Sequence, residues 1–183
     1  MRIEGLVVDV PQALFATAES ASYEGIFEID AIDMGPDVYT PEGPFEWSAL
    51  LTNVGGAILV SGTVAGSVYT DCARCLEKAS FDVEGEIEGY FIIPGQGEAP
   101  EDMDEDEFDE LPEDNRLDLE PLVMAGIVID LPLVPLCSED CKGLCSQCGA
   151  NLNEGPCGCT HDEEETISAS NPFAVLKNIE FEQ

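Results

Sequence analysis

The 183-residue sequence has only six lysines and arginines, one histidine and one tryptophan. Each scarcity excludes something. So few cations against 39 acidic residues give a formal charge of −33. A surface this negative repels phosphate backbones, because nucleic-acid affinity rests largely on neutralising phosphates with Lys and Arg. A single histidine removes most triad chemistry. No P-loop and no G-x-G-x-x-G occurs. Carboxylates are so abundant that no acid–base pair stands out among them. No stretch approaches the ~18 uninterrupted apolar residues of a membrane-spanning helix. The opening "MRIEGLVVDVPQALFATA" does not read as a signal peptide, since Asp9 and Pro11 break its apolar run.

Cysteine, by contrast, is plentiful. Eight occur in a chain whose 44% apolar content builds a core without disulfide staples. The expected compartment is the cytoplasm, where thiols stay reduced, so closely spaced cysteines there suggest metal rather than disulfides. Six of them fall in "LCSEDCKGLCSQCGANLNEGPCGC": Cys137, Cys141, Cys145, Cys148, Cys157 and Cys159. The other two form Cys72-Ala-Arg-Cys75.

Around that first pair the period-2 pattern is clear. Ile58, Val60, Gly62, Val64, Gly66 and Val68 share one strand face; Phe81, Val83, Gly85, Ile87, Gly89 and Phe91 share another. We expect a long antiparallel hairpin with Cys72 opposite Cys75, which sets Val64 against Val83 and Val60 against Ile87. The opposite face, with Asp82, Glu84, Glu86 and Glu88, reads as solvated. "RIEGLVVDV", "YEGIFEID" and "PFEWSALL" are further strand candidates.

The expected fold is α+β: mainly an antiparallel β sheet or partly open barrel with a long hairpin, two or three short helices, and a C-terminal Cys-rich zinc ribbon. Residues 1–97 form the β core, with Cys72 and Cys75 at the hairpin tip. Residues 98–117 form an acidic linker; eleven acidic side chains lie between positions 98 and 114. Residues 118–183 hold a helix, the Cys-rich segment and a terminal helix packing back on the core. Asp118 caps the first helix, Pro121 sits in its first turn, and Pro132 stops it. Asn171-Pro172 opens the second.

Four thiolates suit a soft, tetrahedral ion. Cys145, Cys148, Cys157 and Cys159 can close one site, leaving Cys137 and Cys141 to complete a second with Cys72 and Cys75. The alternative joins Cys137, Cys141, Cys145 and Cys148, and returns Cys157 and Cys159 to the hairpin. The cofactor expected is zinc in two four-cysteine sites; spacing alone does not exclude iron–sulfur ligation. His161 is a substitute ligand or a solvated tail residue. Full thiolate coordination leaves no open position, so both sites read as structural and no catalytic residue is assigned. Two filled sites would move the charge from −33 to about −37, each adding four thiolates and one dication. A thiol redox protein is the weaker reading, because Cys72-Ala-Arg-Cys75 is flanked by strands rather than a helix N-terminus.

The linked motifs "DCARCLE", "IDLPLVPLCSEDCKGLCSQCGANLNEGPCGC" and "NPFAVLKNI" resemble the YceD family of bacteria and plastids, over roughly Val54 to Ile179. That resemblance implies a role in accumulation of large-subunit ribosomal RNA, without enzymatic activity. The partner then expected is a basic large-subunit ribosomal protein or a pre-ribosomal particle, with no membrane. The competing reading is an RNA-binding zinc ribbon whose cationic contacts are Arg74 and Lys142.

Overall fold

Two 15-residue strands set the frame. In the computed structural model, which describes residues 3, 5–98, 103–104 and 107–159, β6 (Ala57–Asp71) and β7 (Lys78–Ile92) pair antiparallel along their whole length. β1 (Val7–Asp9), β2 (Ser20–Phe27), β3 (Ile32–Asp33), β4 (Val38–Pro41) and β5 (Phe45–Asn53) precede them. β8 (Asp109–Glu110), β9 (Arg116–Asp118) and helix α1 (Glu120–Asp130) follow. The main sheet runs β2-β5-β6, with β4 and β3 continuing from the far end of β6 and β7 lying on its other side. Among the described residues no pairing closes this sheet into a barrel. They hold one α-helix and one 3-10 turn, Gln12–Phe15; the expected helix from Asn171 lies outside them, as does His161.

The register of the long hairpin differs from expectation by two residues. Val64 faces Gly85, Val60 faces Gly89, and Gly66 faces Val83. Val60, Val64, Val83 and Ile87 thus each sit beside a glycine, while Ile58 and Val68 face Phe91 and Phe81. A two-residue shift keeps every residue on its predicted face, so the apolar pattern could not separate the two registers. Cys72 consequently faces Glu77, to whose carbonyl it donates at 2.8 Å, and not Cys75. The tip is a six-residue loop, for which a two-residue turn preference is irrelevant.

The β5–β6 connection shows how strongly local chemistry fixes this sheet. Gly55 and Gly56 both have φ above +100°, the left-handed region a two-residue hairpin loop requires. The buried Asn53 carboxamide accepts from both their N–H groups, at 2.8 and 3.3 Å, and donates to the Leu14 carbonyl at 2.9 Å. A buried polar group is thereby satisfied, and the 3-10 turn is fixed to the sheet.

One face of the sheet is covered. Val60, Val64, Val68, Val83 and Ile87 are buried on it with Phe45, Trp47 and Leu51 of β5, and Val123 and Ile127 of α1 complete the core. The helix lies unusually close to β7. A Cβ on Gly85 would stand 2.5 Å from the Gly126 carbonyl, so the two backbones meet glycine to glycine. Asp118 does not cap α1: its carboxylate accepts from the Glu120 N–H at 3.1 Å, while the buried Leu119 occupies the cap position. Leu119 is wholly withdrawn from water, and that burial outweighs the modest gain from an acidic cap. The helix ends at Asp130, ahead of Pro132 as expected.

The described part of the acidic segment is not simply extended. Leu111 is buried and its N–H reaches the Ile92 carbonyl, after β8 adds in parallel to β7. β9 then pairs with β1, burying Leu117. Two leucines among the carboxylates supply the apolar surface that overcomes like-charge repulsion there. The chain divides into two compact units, Met1–Cys141 and Lys142–Gln183.

Candidate metal centres

The eight thiols gather into two groups of four: Cys72, Cys75, Cys137 and Cys141 in the first unit, and Cys145, Cys148, Cys157 and Cys159 in the second. Within each group all sulfurs lie within 4.8 Å of one another. This is the first of the two pairings the spacing allowed. No disulfide links any of them.

The first group joins the hairpin tip to the chain after α1. The tip turns at Leu76, whose φ is +61° and whose N–H donates to the Cys72 carbonyl at 2.9 Å. Tyr39, buried against the edge of the Phe81 ring, donates its hydroxyl to the Pro132 carbonyl at 2.6 Å. The Ala73 N–H then reaches the Pro135 carbonyl at 2.8 Å. These two bonds fasten Pro132 to β4 and Pro135 to the tip, and lead the chain to Cys137 and Cys141. The Cys72–Cys141 and Cys75–Cys137 sulfurs are 3.7 and 3.5 Å apart. A tetrahedral ion with metal–sulfur bonds of ~2.3 Å sets sulfurs ~3.8 Å apart, so the donor set fits such an ion. Cys72, Cys75 and Cys141 are buried; Cys137 is exposed. Arg74 donates to the Cys141 carbonyl at 2.9 Å, which ties a guanidinium to the cluster's own backbone.

The second group repeats the same knuckle. Gly149 has φ of +72° and donates to the Cys145 carbonyl at 2.9 Å, as Leu76 does to Cys72. A Leu144–Asn151 bridge and a Cys145-to-Ala150 bond of 2.8 Å close the loop. The Asn153 carboxamide accepts from the Lys142 N–H at 2.8 Å. Within positions 142–159 only Gly143 and Cys145 are buried, so little apolar surface holds this loop together.

Thiol acidity is split in the same way in both groups. Burial pushes the Cys72 thiol up, but the backbone N–H groups of Arg74, Cys137 and Cys75 outweigh it and bring it down to about 6. At Cys75 the Glu77 backbone works downward, while burial and the thiols of Cys72, Cys137 and Cys141 override it and push it up to about 12. In the second group the backbone N–H groups of Cys148 and Gln147 lower Cys145 to about 6. Its neighbour Cys159 is pushed up to about 12 by the Cys148 thiol and by burial. Each group therefore ionises once with ease, and further thiolates are opposed by like charge. A soft dication among the sulfurs removes that opposition.

The uncovered face of the main sheet is the other electrostatic feature. Asp82, Glu84, Glu86 and Glu88 are exposed, as predicted, and Glu24 and Glu46 share that face on β2 and β5. Across the strands Glu24, Ser48, Thr63 and Glu86 stand in one row. Sequence reading missed the short strands β3 and β4, and with them the role of Tyr39 in placing the second half of the first cluster. No helix among the described residues is long and apolar enough to cross a membrane.

Residues 60–180 match the family model described as large ribosomal RNA subunit accumulation protein YceD. Uncharacterized proteins of Mycobacterium bovis and Mycobacterium tuberculosis are each 32% identical over 156 residues, which is 84% of this chain and 70% of theirs. A chloroplastic large ribosomal RNA subunit accumulation protein of Arabidopsis thaliana, YCED homolog 1, is 31% identical over 61 residues, 33% of this chain and 19% of its own. No solved structure matches the chain significantly.

Proposed function

The chain belongs to the YceD family, and on that premise we propose that it is a non-enzymatic ribosome-biogenesis factor of the cytoplasm supporting accumulation of large-subunit ribosomal RNA. The family is named for accumulation of that RNA rather than for a reaction. Each four-cysteine group holds one zinc ion, with Cys72, Cys75, Cys137 and Cys141 as one ligand set and Cys145, Cys148, Cys157 and Cys159 as the other. Both ions are structural, because four thiolates fill the coordination shell. The first ion clamps the chain beyond the acidic segment onto the hairpin tip and makes a rigid docking unit. A basic large-subunit ribosomal protein docks on the acidic surface, held there until ribosomal RNA replaces it.

The observation that carries this reading is the joining of Cys72 and Cys75 to Cys137 and Cys141 across more than sixty residues of sequence, on a chain of charge −33. Two tests apply. In cells depleted of the protein, large-subunit ribosomal RNA falls relative to small-subunit RNA, and a Cys72→Ser chain fails to restore it. In vitro, the metal-loaded chain retains purified basic large-subunit proteins at low salt; retention of none would overturn the docking role.

A further inference from the structure

We propose that the basic partner is gripped at the hairpin tip, by an apolar patch formed by Leu76, Leu133 and Val134 and rimmed by carboxylates. This rests on the docking role above and names its surface.

Leu133 is 89% exposed, Leu76 65% and Val134 62%. Leu76 lies on the tip loop, and Leu133 and Val134 immediately precede the Pro135 whose carbonyl accepts from Ala73 of that loop, so we infer that the three share one surface. The Ala73-to-Pro135 bond holds Pro135 against the loop that carries Leu76. The Cys75 and Cys137 sulfurs, 3.5 Å apart, bring Cys137 to the same loop. Leu76 is also in a left-handed conformation that glycine adopts far more easily, and glycine fills the equivalent place, Gly149, in the second knuckle. An exposed leucine in a position that favours glycine is not explained by folding. Burial of its side chain against a partner explains it.

Charge selects the partner. Asp71 and Glu77 flank the tip loop, Glu139 and Asp140 lie between Cys137 and Cys141, and all four are exposed. The two cations of the tip are engaged within the chain: Arg74 with the Cys141 carbonyl, and Lys78 with Glu42 at 2.7 Å and with the Tyr69 ring at 4.0 Å. The rim is therefore acidic around an apolar centre, the arrangement of an interface whose core is desolvated and whose edge is polar. Its complement is a protein segment that carries lysines or arginines around one or two apolar side chains. A folded RNA offers no such apolar anchor and meets the rim with like charge.

The test uses the full-length, metal-loaded chain and purified basic large-subunit ribosomal proteins, each fluorescently labelled, with binding read by anisotropy. Three variants are compared: Leu133→Ser with Val134→Ser, Leu76→Gly, and Glu84→Gln with Glu86→Gln and Glu88→Gln. Leu76→Gly removes the side chain and relaxes the backbone, so its metal content and stability are expected to hold. We expect the unaltered chain to bind at least one protein, the two tip variants to weaken that binding at least tenfold, and the β7 variant to change it less than threefold. Unchanged binding in both tip variants, with loss in the β7 variant, overturns the tip as the grip and leaves partner docking intact. Binding of none of the proteins by the unaltered chain overturns docking itself. Concentration-dependent self-association in sedimentation that the tip variants abolish assigns the patch to a second copy of this chain and also overturns the proposal.

Discussion

Gly126→Ala separates a packing effect from a helix effect. In an isolated helix this change would stabilise by about 1 kcal/mol, because alanine is the better helix former. Here the added Cβ would run into the Glu86 carbonyl oxygen, which is backbone and has no rotamer to change. Overpacking of this kind typically costs about 1–3 kcal/mol. The net expectation is a loss of about 1 kcal/mol. With a urea slope of roughly 2 kcal/mol per molar, the unfolding midpoint falls by about 0.5 M. Trp47 is the only tryptophan and is 5% exposed, so its fluorescence reports the core directly. Gly85→Ala puts its Cβ 2.5 Å from the Gly126 carbonyl with no helix gain to offset it, and the drop should be larger. A midpoint that rises in Gly126→Ala would refute the close approach of α1 and β7.

Two predictions concern the metal. Chelation should release hydrogen-exchange protection throughout positions 142–159, where only Gly143 and Cys145 are buried, while β5, β6 and β7 keep theirs on the strength of their apolar core. Equal loss in both places would contradict it. Metal affinity should rise with pH, because protons compete for the sulfurs. Cys75 and Cys159 sit at about 12 without metal, so at neutral pH each ion must displace their protons. Cys72 and Cys145, at about 6, add one further proton per site only below that pH. The slope of affinity against pH therefore steepens below about 6, measurable by calorimetry in buffers of different ionisation enthalpy. A flat profile from pH 5 to 8 would refute thiol ligation.

Much of this was legible in the residues. Strand faces followed from period-2 alternation, and every apolar position assigned to the inner face of the hairpin, from Ile58 to Val68, lies inward. Counting four donors per ion left two pairings, and the structure shows the one that gathers Cys72 and Cys75 with Cys137 and Cys141. Register did not follow, because a two-residue slip conserves faces and only the fit of valine beside glycine decides it. β3, β4, β8 and β9 are two to four residues long, too short for periodicity to show. Nor could the cap at Leu119 be read, since it depends on the burial of a side chain that local propensity disfavours there. Leu76 and Gly149 each follow a C-x2-C pair, so their equivalent place was legible, but the left-handed φ at a leucine was not.

Metal content measured on purified Cys72→Ser and Cys157→Ser chains tests the central claim most directly. The unaltered chain should carry about two equivalents of zinc, and each variant should lose about one, independently of the other. Loss of both equivalents from either single substitution, or an unaltered chain that holds no metal, would contradict two separate four-cysteine centres.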